Sequence, residues 1–427
     1  MQVAARLAAF AHAPIDAPAA QAMLRLSLLD WAAVGLAGRT EPVATILRDR
    51  ATDIGGRPEA SVIGTETRLP MQAAALVNGA TSHALDYDDT HFAHIGHPSV
   101  AVIPAALAMA ERQGAGLGAV IDAALIGAEA SIRFGVWLGR DHYQTGFHQT
   151  ATAGAIGAAL AAARLAGLTH DQTLHALGLV ATRASGLKSQ FGTMGKPFNA
   201  GIAAANGVEA ADLAARGLTS SPDALAGPQG FGPTHHGAAD GAAFDGLGRD
   251  WLFTSVSHKF HACCHGLHAM LEALRGQNAA GVTAIEIATH PRWLTVCNQP
   301  EPLTGLGAKF SYRLTAAMML AGRDTGALDT FCDAACSDPV LVALRDRATV
   351  TGDAALTEMQ ARVRLSRGAT SVDLVHDLDA PLSVPVRTAR LNAKATALLG
   401  PALTDRLANA IATDDLPALT SLLRGSP

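Results

Sequence analysis

From the start to about residue 220 the pattern of apolar and polar positions reads as helix after helix. Apolar residues in these segments recur at helical spacing, with alanine the commonest of them. Pro70 opens "PMQAAALVNGATSHALDY", a position where proline suits a first helical turn. "SVAVIPAALAMAERQG" is expected to start at Ser99 as N-cap and stop at Gly114. "GAVIDAALIGAEASIRFGVWLG" places Glu129 and Arg133 one helical turn apart, the spacing of a structural ion pair. After Thr219 the pattern breaks into a Gly- and Pro-rich stretch expected to pack as a loop. Strict alternation then marks strands at 282–290 and twice within 358–376, with helix between them to about residue 347. The tail, from about 386, returns to helix. The expected architecture is mainly α: a helical domain over 1–254, an α+β domain over 255–385, and residues 386–427 packing back on the first.

Composition sharpens this picture. The chain of 427 residues is 49% hydrophobic but only 4% aromatic, which favours close-packed, small-residue helices. Net charge is −5 and no Lys/Arg run stands out, so nucleic acid is not an expected partner. The longest apolar stretch, 151–168, is interrupted by Arg164 and is nearly all Ala and Gly, so a buried helix is expected and not a membrane span. The N-terminal residues do not read as a signal peptide. The five cysteines, Cys263, Cys264, Cys297, Cys332 and Cys336, include no CxxC pair and are expected to be reduced thiols of a cytoplasmic protein.

Four stretches concentrate the chemistry. "ALDYDDTHFAHIGHPSV" (84–100) can be read as a metal site, a solvated loop, or one wall of an acid–base site. Asp86 and Thr90 would share a face if the preceding helix continued through them, and His97 before Pro98 should be extended. His91, His94 and His97 are spaced by three without the HxxxH geometry of a zinc protease. In "YQTGFHQTATAG", His148 precedes a small-residue helix whose N-terminus could receive a carboxylate. In "SGLKSQFGTMGKPFNAG", Lys196 is expected in a non-helical turn before a helix starting near Asn199, a cation suited to a carboxylate. In "SHKFHACCHGLHAMLEAL", Lys259 stands before a helix among histidines, where desolvation could tune it as a base.

As a set, and in this order, "DYDDTHFAHIGHPS", "GFHQTATAG", "GTMGKPFNAG", "HKFHACCHGLHA" and "AKFSYRLTAAMML" resemble the MmgE/PrpD family, which includes 2-methylcitrate dehydratase, cis-aconitate decarboxylase and iminodisuccinate epimerase. The resemblance runs over nearly the whole chain. It implies a homodimer of a helical domain built from both chain ends, with an inserted α+β lid. It implies a pocket of Asp86, Thr90, His97, His148, Lys196 and Lys259. Lys259, His97, His148 and Tyr143 are the expected proton carriers; Asp86, Thr90, Lys196, Cys264 and Tyr312 are the expected substrate-binding residues. His91 and His94 are expected only at the entrance. Two departures stand against decarboxylation: Cys264 where the decarboxylase has histidine, and Leu314, two positions after Tyr312, where it has tyrosine. The expected activity is proton abstraction next to a carboxylate of a small di- or tricarboxylate, without metal or other cofactor. The loop wording is most similar to the iminodisuccinate epimerase branch. A dehydratase, a decarboxylase or a catalytically silent carboxylate binder are the alternatives.

Overall fold

Alanine-rich segments with glycine at the crossing points let helices pack closely, and the first unit of the computed structural model is built this way. Residues 2–425 are described. The chain divides into a unit running to His258 and resuming at Leu399, and a second unit from Lys259 to Leu398. The helices Met71–His83, Ser99–Gln113, Leu117–Thr145, Gln149–Leu165 and Gly195–Ala215 form the centre of the first unit. A Cβ at Gly157 would collide with the Gly127 carbonyl, and one at Gly201 with that of Leu76, so these crossings require glycine. The core around them is continuous Ala, Leu, Val and Ile, with Trp31, Phe134 and Trp137 as its largest buried members.

The helix from Ser99 does end in a left-handed Gly114, but Ser99 is not its cap. Pro98 precedes the first turn, and the Ser99 hydroxyl donates instead to Asp89 Oδ2 at 2.5 Å. Glu129 and Arg133 pair at 2.6 Å, both fully buried. Glu129 also accepts the N–H groups of Leu252 and Phe253, while Arg133 donates to the carbonyls of Ala243, Asp245 and Asp250. The pair therefore fastens the Gly-rich loop segment to the helix, a structural role. A short hairpin, Ala60–Val62 with Thr65–Leu69, interrupts the expected run of helices; three to five residues are too few for periodicity to show.

In the second unit the strand order is Ala348–Gly352, Ala284–Thr289, Gln360–Arg367, Thr370–Asp377; the first two run parallel and the remaining pairs antiparallel. Val363 sits opposite Ile287 on one side and Leu374 on the other. Alternation buries Ala361, Val363 and Leu365 on one face. The strand Ala348–Gly352 escaped the sequence reading because its "ATVTG" is mostly polar and small. The helix Val384–Leu399 belongs to this unit, so the chain rejoins the helical unit at Leu399, later than residue 386. Among the described residues, no helix is long and apolar enough to cross a membrane.

Candidate acid–base site

The helix Met71–His83 stops at His83, and the chain then turns without helix through the charge-dense stretch to Pro98. Asp86 adopts φ 50°, a left-handed conformation that a carboxylate residue tolerates better than most. Asp86 and Thr90 therefore do not share a helical face, contrary to expectation. Thr90 is instead fixed by two backbone hydrogen bonds with Ser257, at 2.9 and 2.8 Å. The turn at Asp86 directs Asp88, fully buried, between two imidazoles. His83 Nδ1 lies 2.9 Å from Asp88 Oδ1, and His97 Nδ1 lies 2.7 Å from Oδ2. Burial alone would raise the Asp88 carboxyl. The charges and hydrogen bonds of His83 and His97 outweigh it and hold the group well below the carboxylate range. A carboxylate accepting at both Nδ1 atoms leaves each imidazole Nε2 to act as base or acid. The His97 backbone N–H is held by the Thr150 hydroxyl at 3.1 Å.

Lys196 Nζ lies 2.5 Å from Asp86 Oδ2, and His97 Nε2 lies 3.6 Å from Asp86 Oδ1. Lys196 is not in a turn ahead of its helix: the helix Gly195–Ala215 already includes it, with Pro197 accommodated in the first turn. His148 is the N-cap of the helix Gln149–Leu165, as its sequence position suggests. The Asn199 amide nitrogen donates to the Leu187 carbonyl and to His148 Nδ1, both at 3.3 Å. The carbonyl contact fixes the amide orientation, so His148 carries its proton on Nε2. Burial, then the neighbouring charges of His83, Lys196 and His97, hold His148 well below the usual histidine range and therefore neutral. Its ring meets Phe191 edge-on at 4.9 Å. The structure thus brings together Asp86, His97, His148 and Lys196, and adds His83, Asp88 and Asn199, which the sequence reading missed.

His83, Asp86, Asp88 and His97 offer ligand atoms within 4.8 Å of one another, a grouping that could hold a metal ion. An ion there would have to displace the Lys196 ammonium from Asp86 and compete with the Nδ1–carboxylate bonds. It is a different set from His91, His94 and His97. His91 and His94 do not line an entrance; both are buried. His91 Nε2 donates to the Leu252 carbonyl at 2.9 Å, and burial pushes its pKa down to about 4. His94 packs so closely on the helix Leu117–Thr145 that a Cβ at Gly135 would lie 2.6 Å from it. The Tyr143 ring carries the Lys188 ammonium at 3.8 Å. Asp89, next to Asp88 in the chain, is buried; burial and, among the charges, that of Asp30 push its carboxyl up to about 7, against the Ser99 hydrogen bond.

In the second unit, Lys259 is buried in a segment without helix; the first helical turn comes only at His265–Leu267. Cys264 N–H donates to the Lys309 carbonyl at 2.9 Å. Tyr312 is fully buried, its hydroxyl donating to the Gly266 carbonyl at 2.6 Å and lying 2.9 Å from Thr289 Oγ1. Burial, then the Cys297 thiol, raise its pKa far above the ordinary phenol value. Tyr312 therefore holds the fold together around Gly266, and the position expected for tyrosine, Leu314, is likewise sealed in the core.

Comparison with known proteins adds two findings. Residues 5–241 match the MmgE/PrpD N-terminal domain and residues 261–417 the MmgE/PrpD C-terminal domain. A cis-aconitate decarboxylase-like protein of Aspergillus oryzae is 32% identical over 265 residues, 58% of this chain and 55% of that protein. Cis-aconitate decarboxylase of Aspergillus terreus is 34% identical over 50% of this chain and 46% of its own length. The human cis-aconitate decarboxylase is 32% identical over 48% and 44%. The chain spans about half the length of the curated relatives it matches.

Proposed function

Because the chain belongs to the MmgE/PrpD family of enzymes, we propose that it moves a proton at the carbon next to a carboxylate of a small di- or tricarboxylate. The observation that carries this is the Asp88 carboxylate accepting at Nδ1 of both His83 and His97. That arrangement orients an imidazole Nε2 toward Asp86 and Lys196, where a substrate carboxylate would replace Asp86 as partner of the ammonium. His97 Nε2 takes the proton; the electron pair passes into an enolate whose charge Lys196 stabilises. Neutral His148, with its proton on Nε2, can donate a hydrogen bond to the enolate, and a second, protonated carrier returns a proton to the carbon. Lys259 is proposed as a further proton carrier from its sequence motif, and Lys259→Met should then lower turnover by ~10²-fold.

Return of the proton to the opposite face is epimerisation, and we favour a reaction of the iminodisuccinate epimerase type. By the motif resemblance, Cys264 and Leu314 fall where the decarboxylase has histidine and tyrosine, and Leu314 is buried. The named relatives support a second reading, decarboxylation of an acid like cis-aconitate, in which the same groups protonate the carbanion left by CO2. Elimination of water is the third outcome of the same first step. Incubation with candidate acids in deuterated water separates them. Exchange at the carbon with inversion marks the epimerase, CO2 release the decarboxylase, and loss of water the dehydratase. If no acid exchanges or turns over, the proposal fails.

A further inference from the structure

The second unit contains a cavity of about 230 Å³ that the acid–base chemistry does not use. Arg275, Arg323, Arg390 and Lys394 line it, against the single carboxylate of Asp324 among the described residues. The helix Val384–Leu399 supplies one wall through residues 390, 393, 394 and 397, which share a helical face. Ala393 and Ala397 leave the space; Arg390 and buried Lys394 supply the charge. Glu272, behind the wall, is already engaged: it pairs with Arg275 through two 2.9 Å contacts, with His261 Nε2 at 2.9 Å, and with Arg390. It therefore holds the two guanidinium groups in place along this wall. Arg323 reaches Asp338 at 2.9 Å with its side chain 57% exposed, so it can turn toward a ligand.

We propose that this cavity binds a small, multiply charged oxyanion, a phosphate or a compact polycarboxylate. Guanidinium groups fixed by a buried carboxylate present planar donors to such an ion, and an ammonium on a small-residue helix face adds a point charge. Crowding of cations supports the reading: burial, then the nearby Arg390, lowers the pKa of Arg387 on the same helix. Thr325 and Phe260 also line the cavity, the Phe260 ring lying 3.7 Å from the Arg390 guanidinium. Phe260 follows Lys259 in the chain, so an anion that reorients Arg390 acts on the backbone segment carrying that lysine.

Calorimetric titration of the full chain with inorganic phosphate and, separately, with citrate at constant ionic strength tests the site. At least one should bind saturably, and which one does tells the two chemistries apart. Lys394→Met and Arg323→Gln should each weaken that binding by about tenfold or more, as expected for loss of a charge-assisted contact. Arg323→Gln alters an exposed side chain, so it reports even if Lys394→Met fails to fold. Citrate binding that both folded variants retain belongs elsewhere and overturns the proposal. So does the absence of saturation for both anions.

Discussion

In each unit a buried carboxylate, Asp88 in the first and Glu272 in the second, organises several basic neighbours, and the two do different work. Asp88 accepts from two imidazoles; Glu272 accepts from two guanidinium groups and one imidazole. Both carboxyls are held below their ordinary range, because the hydrogen bonds and charges of these partners outweigh the cost of burial. The partners make the difference. An imidazole exchanges its proton near neutral pH, so Asp88 orients groups that can carry out proton transfer. A guanidinium keeps its proton throughout, so the two arginines on Glu272 form a fixed cationic wall, and the one imidazole there, His261, has both ring nitrogens engaged, by Glu272 and Thr325. A buried ionic cluster is therefore a candidate for catalysis according to what its carboxylate faces.

The sharpest break of this comparison is Asp88→Asn. An amide cannot accept from both Nδ1–H groups, so the imidazoles lose their tautomer and aim. Turnover should fall by about 10⁴-fold, the scale for an orienting carboxylate replaced by its amide. Steady-state kinetics on the folded variant check this; a loss under threefold would mean that Asp88 only packs the loop. Glu272→Gln should act in the opposite way. Leaving two arginines and His261 without their charge partner should cost about 3 kcal/mol of stability, read by denaturant unfolding, with kcat of the folded protein nearly unchanged. A large fall in kcat at full stability would erase the distinction between the two clusters.

Lys196→Ala gives a third, smaller effect. A substrate carboxylate should bind about 1.5–3 kcal/mol more weakly, while an analogue amidated at that carboxylate should be affected little. Equal losses for both ligands would place Lys196 in loop support through Asp86.

The smallest effect concerns Asp89, which sharpens the comparison because its hydroxyl contacts are Ser99 and Ser27 and its charged neighbours include Asp30 and Asp88. Its folded pKa of about 7 lies above the unfolded value of about 4, so the native state binds the extra proton. The stability this contributes is complete below about pH 4 and is lost as pH rises to about 7. Asp89→Asn should therefore raise the melting temperature at pH 8 and change it less at pH 5. His91 has the reverse linkage. Its pKa falls to about 4 from an unfolded value near 6.5, so the stability it contributes is present above about pH 6.5 and is lost as pH falls toward 4. Melting curves of the Asp89 variant that show equal shifts at both pH values would remove Asp89 as the titrating group.

Much of this was determined by sequence alone. Alanine-rich helical periodicity specified the helical unit, Gly114 its helix stop, Glu129 and Arg133 their ion pair, and period-two alternation three of the four strands in the second sheet. The motif set identified the family, and with it four residues that the structure gathers at one place: Asp86, His97, His148 and Lys196. Spacing could not say which of the neighbouring aspartates points inward, because a single left-handed residue at Asp86 reverses the expected helical facing. Nor could it separate His97 from His91 and His94, which carry the same ring at the same interval but meet a carboxylate in one case and packed backbone in the others. Periodicity reports which face of an element is apolar. The partner of a buried polar atom is chosen by chain segments far away in sequence, and only the tertiary structure brings those together.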